Sequence, residues 1–175
     1  MSESIKSLKF ECLLKIMKMD DKNKEFMRKA IQLSIKNINN GGGPFGAVVV
    51  KDGEIIAEGT NGVTLLNDPT AHAEVSAIRN AAKTLGTYDL SGCEIYTSCE
   101  PCPMCLGAIY WARLKRIYYG NTKREAAEIN FDDDFIYKEL DLPLSKRKVP
   151  ALQLLADEAI CAFNEWDRQD NKIEY

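Results

Sequence analysis

Thr97-Ser-Cys-Glu-Pro-Cys-Pro-Met-Cys105 reads TSCEPCPMC and holds three of the chain's six cysteines. The run that leads into it, Cys93–Ser98 (CEIYTS), has the composition of a strand. Residues 102–112 are nearly all apolar and read as a buried helix. The quoted stretch is therefore a strand-to-helix junction, the unit from which α/β folds are built. Cys102 and Cys105 stand i,i+3 on the first helical turn and share a face. A helix N-terminus favours both as thiolates. Cys99 lies at the strand's end and cannot share that geometry, so it reads as a packed residue beneath the site.

The same alternation extends in both directions. Residues 22–39 form a helix with Met27, Ala30, Ile31, Leu33, Ser34 and Ile38 on one face, stopped by Gly41–Gly43. Phe45–Lys51 and Glu54–Asn61 read as strands joined by a hairpin turn at Asp52-Gly53. A helix from about Thr70 to Leu85 carries Ala71, Val75, Ile78, Ala82 and Leu85 on its apolar face and ends at Gly86. Arg116–Gly120 is a fourth strand, Lys123–Asn130 a short helix and Ala151–Leu155 a candidate fifth strand. Residues 156–171 place Ala159, Ile160, Phe163 and Trp166 on one helical face. Strands alternating with helices give the α/β class, a mixed sheet with helices on both faces. Residues 1–20 precede the pattern as an N-terminal extension, either a further helix or a leader upstream of Met19, and residues 21–175 form one domain. The triple glycine follows a helix and precedes a strand, the reverse of a phosphate-binding loop.

The 175 residues suit one ordinary domain, and 45% hydrophobic with 28% charged residues suits a globular one. The formal net charge of -3 gives no basic footprint for nucleic acid. The N-terminus interrupts its apolar residues with lysines and has no secretory h-region. No apolar run approaches a membrane span. A cytoplasmic protein is expected. Clustered cysteines in such a protein favour metal binding or catalysis over a disulfide framework, and Cys12, Cys93 and Cys161 read as small apolar residues.

The chain has a single histidine, His72, at the start of the helix that follows the second strand. With Cys102 and Cys105 it makes a donor set that suits Zn²⁺, and three protein ligands leave a position for water. Two thiolates and a neutral imidazole cancel the ion's charge, so a water activated there needs a base. Glu74, two residues after His72, is that base. A closed zinc-binding module with Cys99 as fourth ligand is the non-enzymatic alternative.

His72-Ala-Glu74 followed by Pro101-Cys102-Pro-Met-Cys105 is the H-x-E and P-C-x-x-C pattern of the zinc-dependent deaminases, and the chain resembles the cytidine-deaminase-like superfamily. GPFGA at 43–47, NDPTAHAE at 67–74, YTSCEPCPMCLGAIYW at 96–111 and FDDDFIYKE at 131–139 are similar to bacterial guanine deaminases, over about residues 22–175. That resemblance implies a three-layer α/β/α sandwich with a five-stranded mixed sheet. It implies one Zn²⁺ per subunit and a homodimer that exchanges its C-terminal segments, about 156–175. It implies hydrolysis of guanine to xanthine and ammonia, with Glu74 moving the proton and Asp133 aiding recognition or departure of the amine. Asn61 would hydrogen-bond the purine, Phe45 and Trp111 would line its two faces, Ala73 would contact it, and Tyr175 would close the partner's site. Guanosine, a cytosine-type base, an aminotriazine or adenosine in transfer RNA are the alternative substrates.

Overall fold

The structure, a computed structural model, describes the backbone of residues 3–174 and the side chains of residues 21–174. Its helices and strands are α1 (Glu3–Asn39), β1 (Gly46–Lys51), β2 (Glu54–Thr60), α2 (Val63–Leu66), α3 (Ala73–Leu85), β3 (Glu94–Cys99), α4 (Pro103–Trp111), β4 (Arg116–Asn121), α5 (Lys123–Glu128), α6 (Asp134–Leu140) and α7 (Ala156–Asp167). A 3-10 turn, Leu144–Lys146, lies between the last two. The chain divides into two units, Met1–Asp133 and Asp134–Tyr175.

The first unit holds a mixed sheet ordered β2-β1-β3-β4. β1 is antiparallel to β2 and β3, while β3 and β4 are parallel. Side chains alternate between faces along each strand. Ala47, Val49 and Ile95 therefore meet the α3 and α4 side with Ala77, Ala81 and Ile109. Val48, Val50 and Tyr96 meet Phe26 and Ala30 of α1 on the other. This is the α/β/α layering expected from the alternation of elements.

Four expectations are corrected. The sheet has four strands rather than five. Ala151–Leu155 is unpaired and exposed, and Leu155 turns left-handed (φ 52°) to cap α7. A strand exists through its ladder, and among the described residues the second unit contains no strand to pair with it.

The face of α1 is rotated from the one expected. Phe26, Ala30, Ser34 and Asn37 are buried, while Ile31 and Ile38 are exposed. Backbone approach decides this: a side chain at Gly46 of β1 would overlap the main chain of α1 at Ala30 and Ser34. Only a small-residue stripe lets the helix come that close.

The third correction is at α3, which starts at Ala73 rather than Thr70. Asp68 Oδ1 accepts from the amide and hydroxyl of Thr70, holding a turn ahead of the helix. Its wholly buried row is Ala73, Ala77 and Ala81. Gly59 of β2 leaves room for that row, since a Cβ there would strike the backbone at Ala73 and Ala77.

Finally, α4 is only half buried. Cys105 and Ile109 face the core, whereas Tyr110 and Trp111 are exposed. An apolar helix lying on a sheet buries one side, whatever the composition of the other.

The second unit packs no buried residue in its helical segments. Its internal ties include Lys148 N–H to Glu139 Oε2 at 2.7 Å and Arg147 Nε–H to the Leu142 carbonyl at 3.0 Å.

Candidate metal centre and active site

Two strand-to-helix junctions build the site. His72 is the N-cap of α3, with extended backbone (φ -70°, ψ 158°). Cys102 is the N-cap of α4 in the same conformation (φ -66°, ψ 168°), and Pro103 opens that helix. Proline at the first helical position loses no intrahelical hydrogen bond and presets the turn. Cys105 follows one turn later, fully buried. Both helices thus point their N-termini, and their positive dipole ends, at the thiols.

His72 Nδ1 lies 3.5 Å from Sγ of Cys102 and 3.5 Å from Sγ of Cys105. Among the described residues these three are the group whose ligand atoms lie within 4.8 Å of one another. A nitrogen about 2.05 Å and a sulfur about 2.3 Å from one tetrahedral zinc stand ~3.6 Å apart. The donors are therefore spaced for zinc, and one tetrahedral position is left without a protein ligand from this group. Cys99 is outside it: its buried thiol faces the Thr122 carbonyl at 3.7 Å. Burial pushes that thiol up to about 11.

The three donors polarise one another. Cys102 is drawn down to about 4, first by the neighbouring Cys105 thiol and further by His72. Cys105 is pushed well above the thiol range by the neighbouring Cys102 thiolate and by burial. His72 is raised, chiefly through its bond to Cys102.

Glu74, in the first turn of α3, is buried beside them. Its Oε1 accepts from Thr97 Oγ1 at 3.0 Å, and its Oε2 accepts from Cys105 Sγ at 3.4 Å. Burial raises its pKa, against the lowering effect of its own backbone amide, Thr97 and Cys105. Asp133 is half-buried near the same group: its charge is felt at His72 and Cys99, and the Cys102 thiolate adds to the burial that raises it.

Asn61 directly follows β2 and is buried. Its Oδ1 accepts from the Val63 amide at 3.3 Å, and its backbone N–H donates to the Phe45 carbonyl at 3.1 Å. Phe45 packs on Phe131, two residues before Asp133. Ala73 contributes the first backbone N–H of α3, between His72 and Glu74. Trp111 ends α4, six residues past Cys105, or ~9 Å along the axis. It is 69% exposed and lines a surface pocket with Gly107, Tyr110 and Arg113. Tyr175 lies outside the described residues.

Two residues escaped the sequence reading. Thr97 belongs to the row Ile95, Thr97, Cys99 on one face of β3, and a hydroxyl in such a row was the available signal. Asn37 donates both hydrogens of its side-chain amide, to the carbonyls of Gly43 (2.8 Å) and Asn61 (2.7 Å). It stands i+3 from Ser34 on the stripe that α1 buries, and a polar pair in a buried stripe was the signal there.

Paired thiol and imidazole donors at two helix N-termini, with a buried carboxylate between them, define a metal-dependent hydrolytic site on an α/β/α scaffold. Residues 20–121 match the family described as the cytidine and deoxycytidylate deaminase zinc-binding region, and the chain belongs to that family. Within it, the chain is 57% identical over 151 residues to guanine deaminase of Bacillus subtilis, covering 86% of this chain and 97% of that protein. The X-ray structure of that Bacillus subtilis enzyme superposes with a TM-score of 0.85 at 56% identity, over 87% of this chain and 98% of that one. The tRNA-specific adenosine deaminase of Haemophilus influenzae is 41% identical over 87% of this chain and 88% of its own length.

Proposed function

We propose that the protein is a zinc-dependent aminohydrolase that converts guanine and water to xanthine and ammonia. The carrying observation is the convergence of His72, Cys102 and Cys105 beside buried Glu74, in a chain 57% identical to a guanine deaminase. When bound by those three residues, one zinc per subunit supplies Lewis-acid activation of a water. Glu74 takes a proton from the attacking water as a new C–O bond forms at the carbon bearing the exocyclic amine. It delivers that proton to the adjacent ring nitrogen. The proton of the newly added hydroxyl then passes through Glu74 to the amine, the C–N bond breaks to release ammonia, and the hydroxyl oxygen becomes the product carbonyl.

The remaining residues bind and orient. Asn61 commits its Oδ1 to the Val63 amide, so its NH₂ is the group free to donate to a purine acceptor. Phe45 covers one ring face, the first amides of α3 at Ala73 face the substrate's edge, and Asp133 receives the departing amine. Transfer RNA as substrate is disfavoured by the net charge of -3, since phosphate binding draws on lysine and arginine.

The active form on this reading is a cytoplasmic homodimer with exchanged C-terminal segments. The apolar side chains of α7, including Phe163 (74% exposed) and Trp166 (47% exposed), need a surface to cover them, and a second copy supplies it. On this reading Trp111, exposed at the end of α4, covers the other ring face. Tyr175 closes the partner's site.

Ammonia release from guanine, guanosine, cytosine, adenine and cytidine by zinc-loaded protein tests the substrate. Guanine turning over fastest supports the reading, and preference for a nucleoside or for cytosine overturns it. Deleting Tyr175 should lower turnover more than thermal stability. Mixing that deletion with Glu74→Gln chains should restore activity in heterodimers, and failure to do so in verified heterodimers argues against exchange.

A further inference from the structure

We infer that Thr97 is a positioning residue for Glu74: its hydroxyl fixes Oε1, so that Oε2 is the oxygen that works as the base. The inference rests on Glu74 being the base, as proposed above. Three observations carry it.

The donor is rigidly placed. Thr97 sits on β3, paired with Ala47 of β1 on one side and Tyr119 of β4 on the other. A strand held in two ladders cannot drift, and a β-branched side chain has few χ1 states. The residue is 1% exposed, so its hydroxyl has no route to bulk water and must bond within the protein.

The acceptor is divided. Glu74 Oε1 receives the Thr97 hydroxyl at 3.0 Å, whereas Oε2 lies on the metal side, 3.4 Å from Cys105 Sγ. The two oxygens of one carboxylate therefore do different jobs.

The hydroxyl is the nearer partner of the carboxylate. The Thr97 hydroxyl at 3.0 Å is the shorter of the two side-chain contacts to Glu74, against 3.4 Å for Cys105 Sγ. Without Thr97 the carboxylate is free to rotate about its terminal bond, a broad torsion with little preference of its own.

The test compares Thr97→Val, nearly isosteric without the hydroxyl, with Thr97→Ser, which keeps it, in zinc-loaded enzyme. Thr97→Val should lower kcat for guanine by about 10- to 100-fold with KM within about twofold, the pattern of an interaction needed only in the transition state. Zinc content should stay at the wild-type value, and Thr97→Ser should recover most of the rate. A crystal structure of the Thr97→Val enzyme should show the Glu74 carboxylate rotated from its wild-type plane. Wild-type kcat in Thr97→Val, or an unmoved carboxylate, overturns the inference. If Thr97→Val fails to fold, Thr97→Ala against Thr97→Ser reads the same difference. Glu74→Gln run in parallel separates the two claims. Loss of its turnover with a normal Thr97→Val rate sinks only this inference, and normal Glu74→Gln turnover sinks the base itself.

Discussion

The rings of Phe45 and Phe131 meet edge to face, with centroids 5.0 Å apart and planes at 90°. Phe45 leads into β1, and Phe131 lies two residues before Asp133. The pair therefore ties the segment that carries Asp133 to the start of β1. Edge-to-face pairs contribute about 0.5–1.5 kcal/mol beyond their area. Phe131→Ala should retain zinc and the fold while lowering kcat/KM for guanine by about tenfold. Combining it with Asp133→Ala should add little, since both act through one carboxylate. Steady-state kinetics on the two single variants and the double variant check this, and fully additive losses would separate the ring pair from Asp133.

Removal of metal should cost both activity and stability. His72, Cys102 and Cys105 come from two helices that the donors tie together, so ligation stabilises the folded chain. At zinc 100-fold above its dissociation constant the gain is about 2.7 kcal/mol. Chelated protein should lose turnover and melt lower, and added Zn²⁺ should reverse both. Cys102→Ser should bind less zinc. Glu74→Gln should keep the zinc-dependent rise in Tm yet turn over ~100-fold slower or worse. Calorimetry with metal analysis decides between a metal-binding and a catalytic role for each residue.

The elements of the site were more legible in the sequence than their packing. Helix phase ranked Cys102 and Cys105 above Cys99, and the structure leaves Cys99 outside the donor group. The periods of the strands and helices gave the layered sheet. What pattern could not decide was how far α1 is rotated on β1, because Ile31 and Ile38 fall on the same apolar face as Ala30 and Ser34 yet end up exposed. That choice belongs to the backbone contact at Gly46, a tertiary fact. The same limit applies to Ala151–Leu155, whose leucines suit a strand but whose unit offers no ladder. It also applies to Trp111, whose apolar neighbours on α4 suggest burial but which the lie of that helix on the sheet leaves 69% exposed.

Tyr96 makes stability pH-dependent at the alkaline end. Its hydroxyl donates to Asn23 Oδ1 at 2.8 Å and lies 3.3 Å from Glu94 Oε2, while its ring stacks on Tyr118. Burial, and then the Glu94 charge, raise its pKa above the ordinary value of 10.0. The folded chain therefore holds this proton more tightly than the unfolded one. The contribution is complete below about pH 10 and is lost as pH rises toward the folded-state value. Tyr96→Phe should be less stable by about 1 kcal/mol at neutral pH. The gap to wild type should narrow steadily above pH 10. Urea unfolding at pH 8, 10 and 11 tests this, and a constant gap would contradict the assignment.

Asn37 should govern substrate affinity from outside the pocket. Its amide bridges the Gly43 and Asn61 carbonyls at 2.8 and 2.7 Å, joining the entry to β1 with the exit from β2. Gly42 leaves the space this bridge occupies, since a side chain there would overlap the Asn37 amide. Asn37→Ala strands two carbonyls and should lower stability by about 1–3 kcal/mol. Because Asn61 rides on one of those carbonyls, KM for guanine and the inhibition constant of xanthine should rise more than kcat falls. Asn37→Asp should be worse than Asn37→Ala, as it points a carboxylate at two carbonyl oxygens in a buried place. Product inhibition measured beside urea unfolding separates the effects. A destabilised variant with unchanged xanthine affinity would make Asn37 a structural clasp with no hold on the pocket wall.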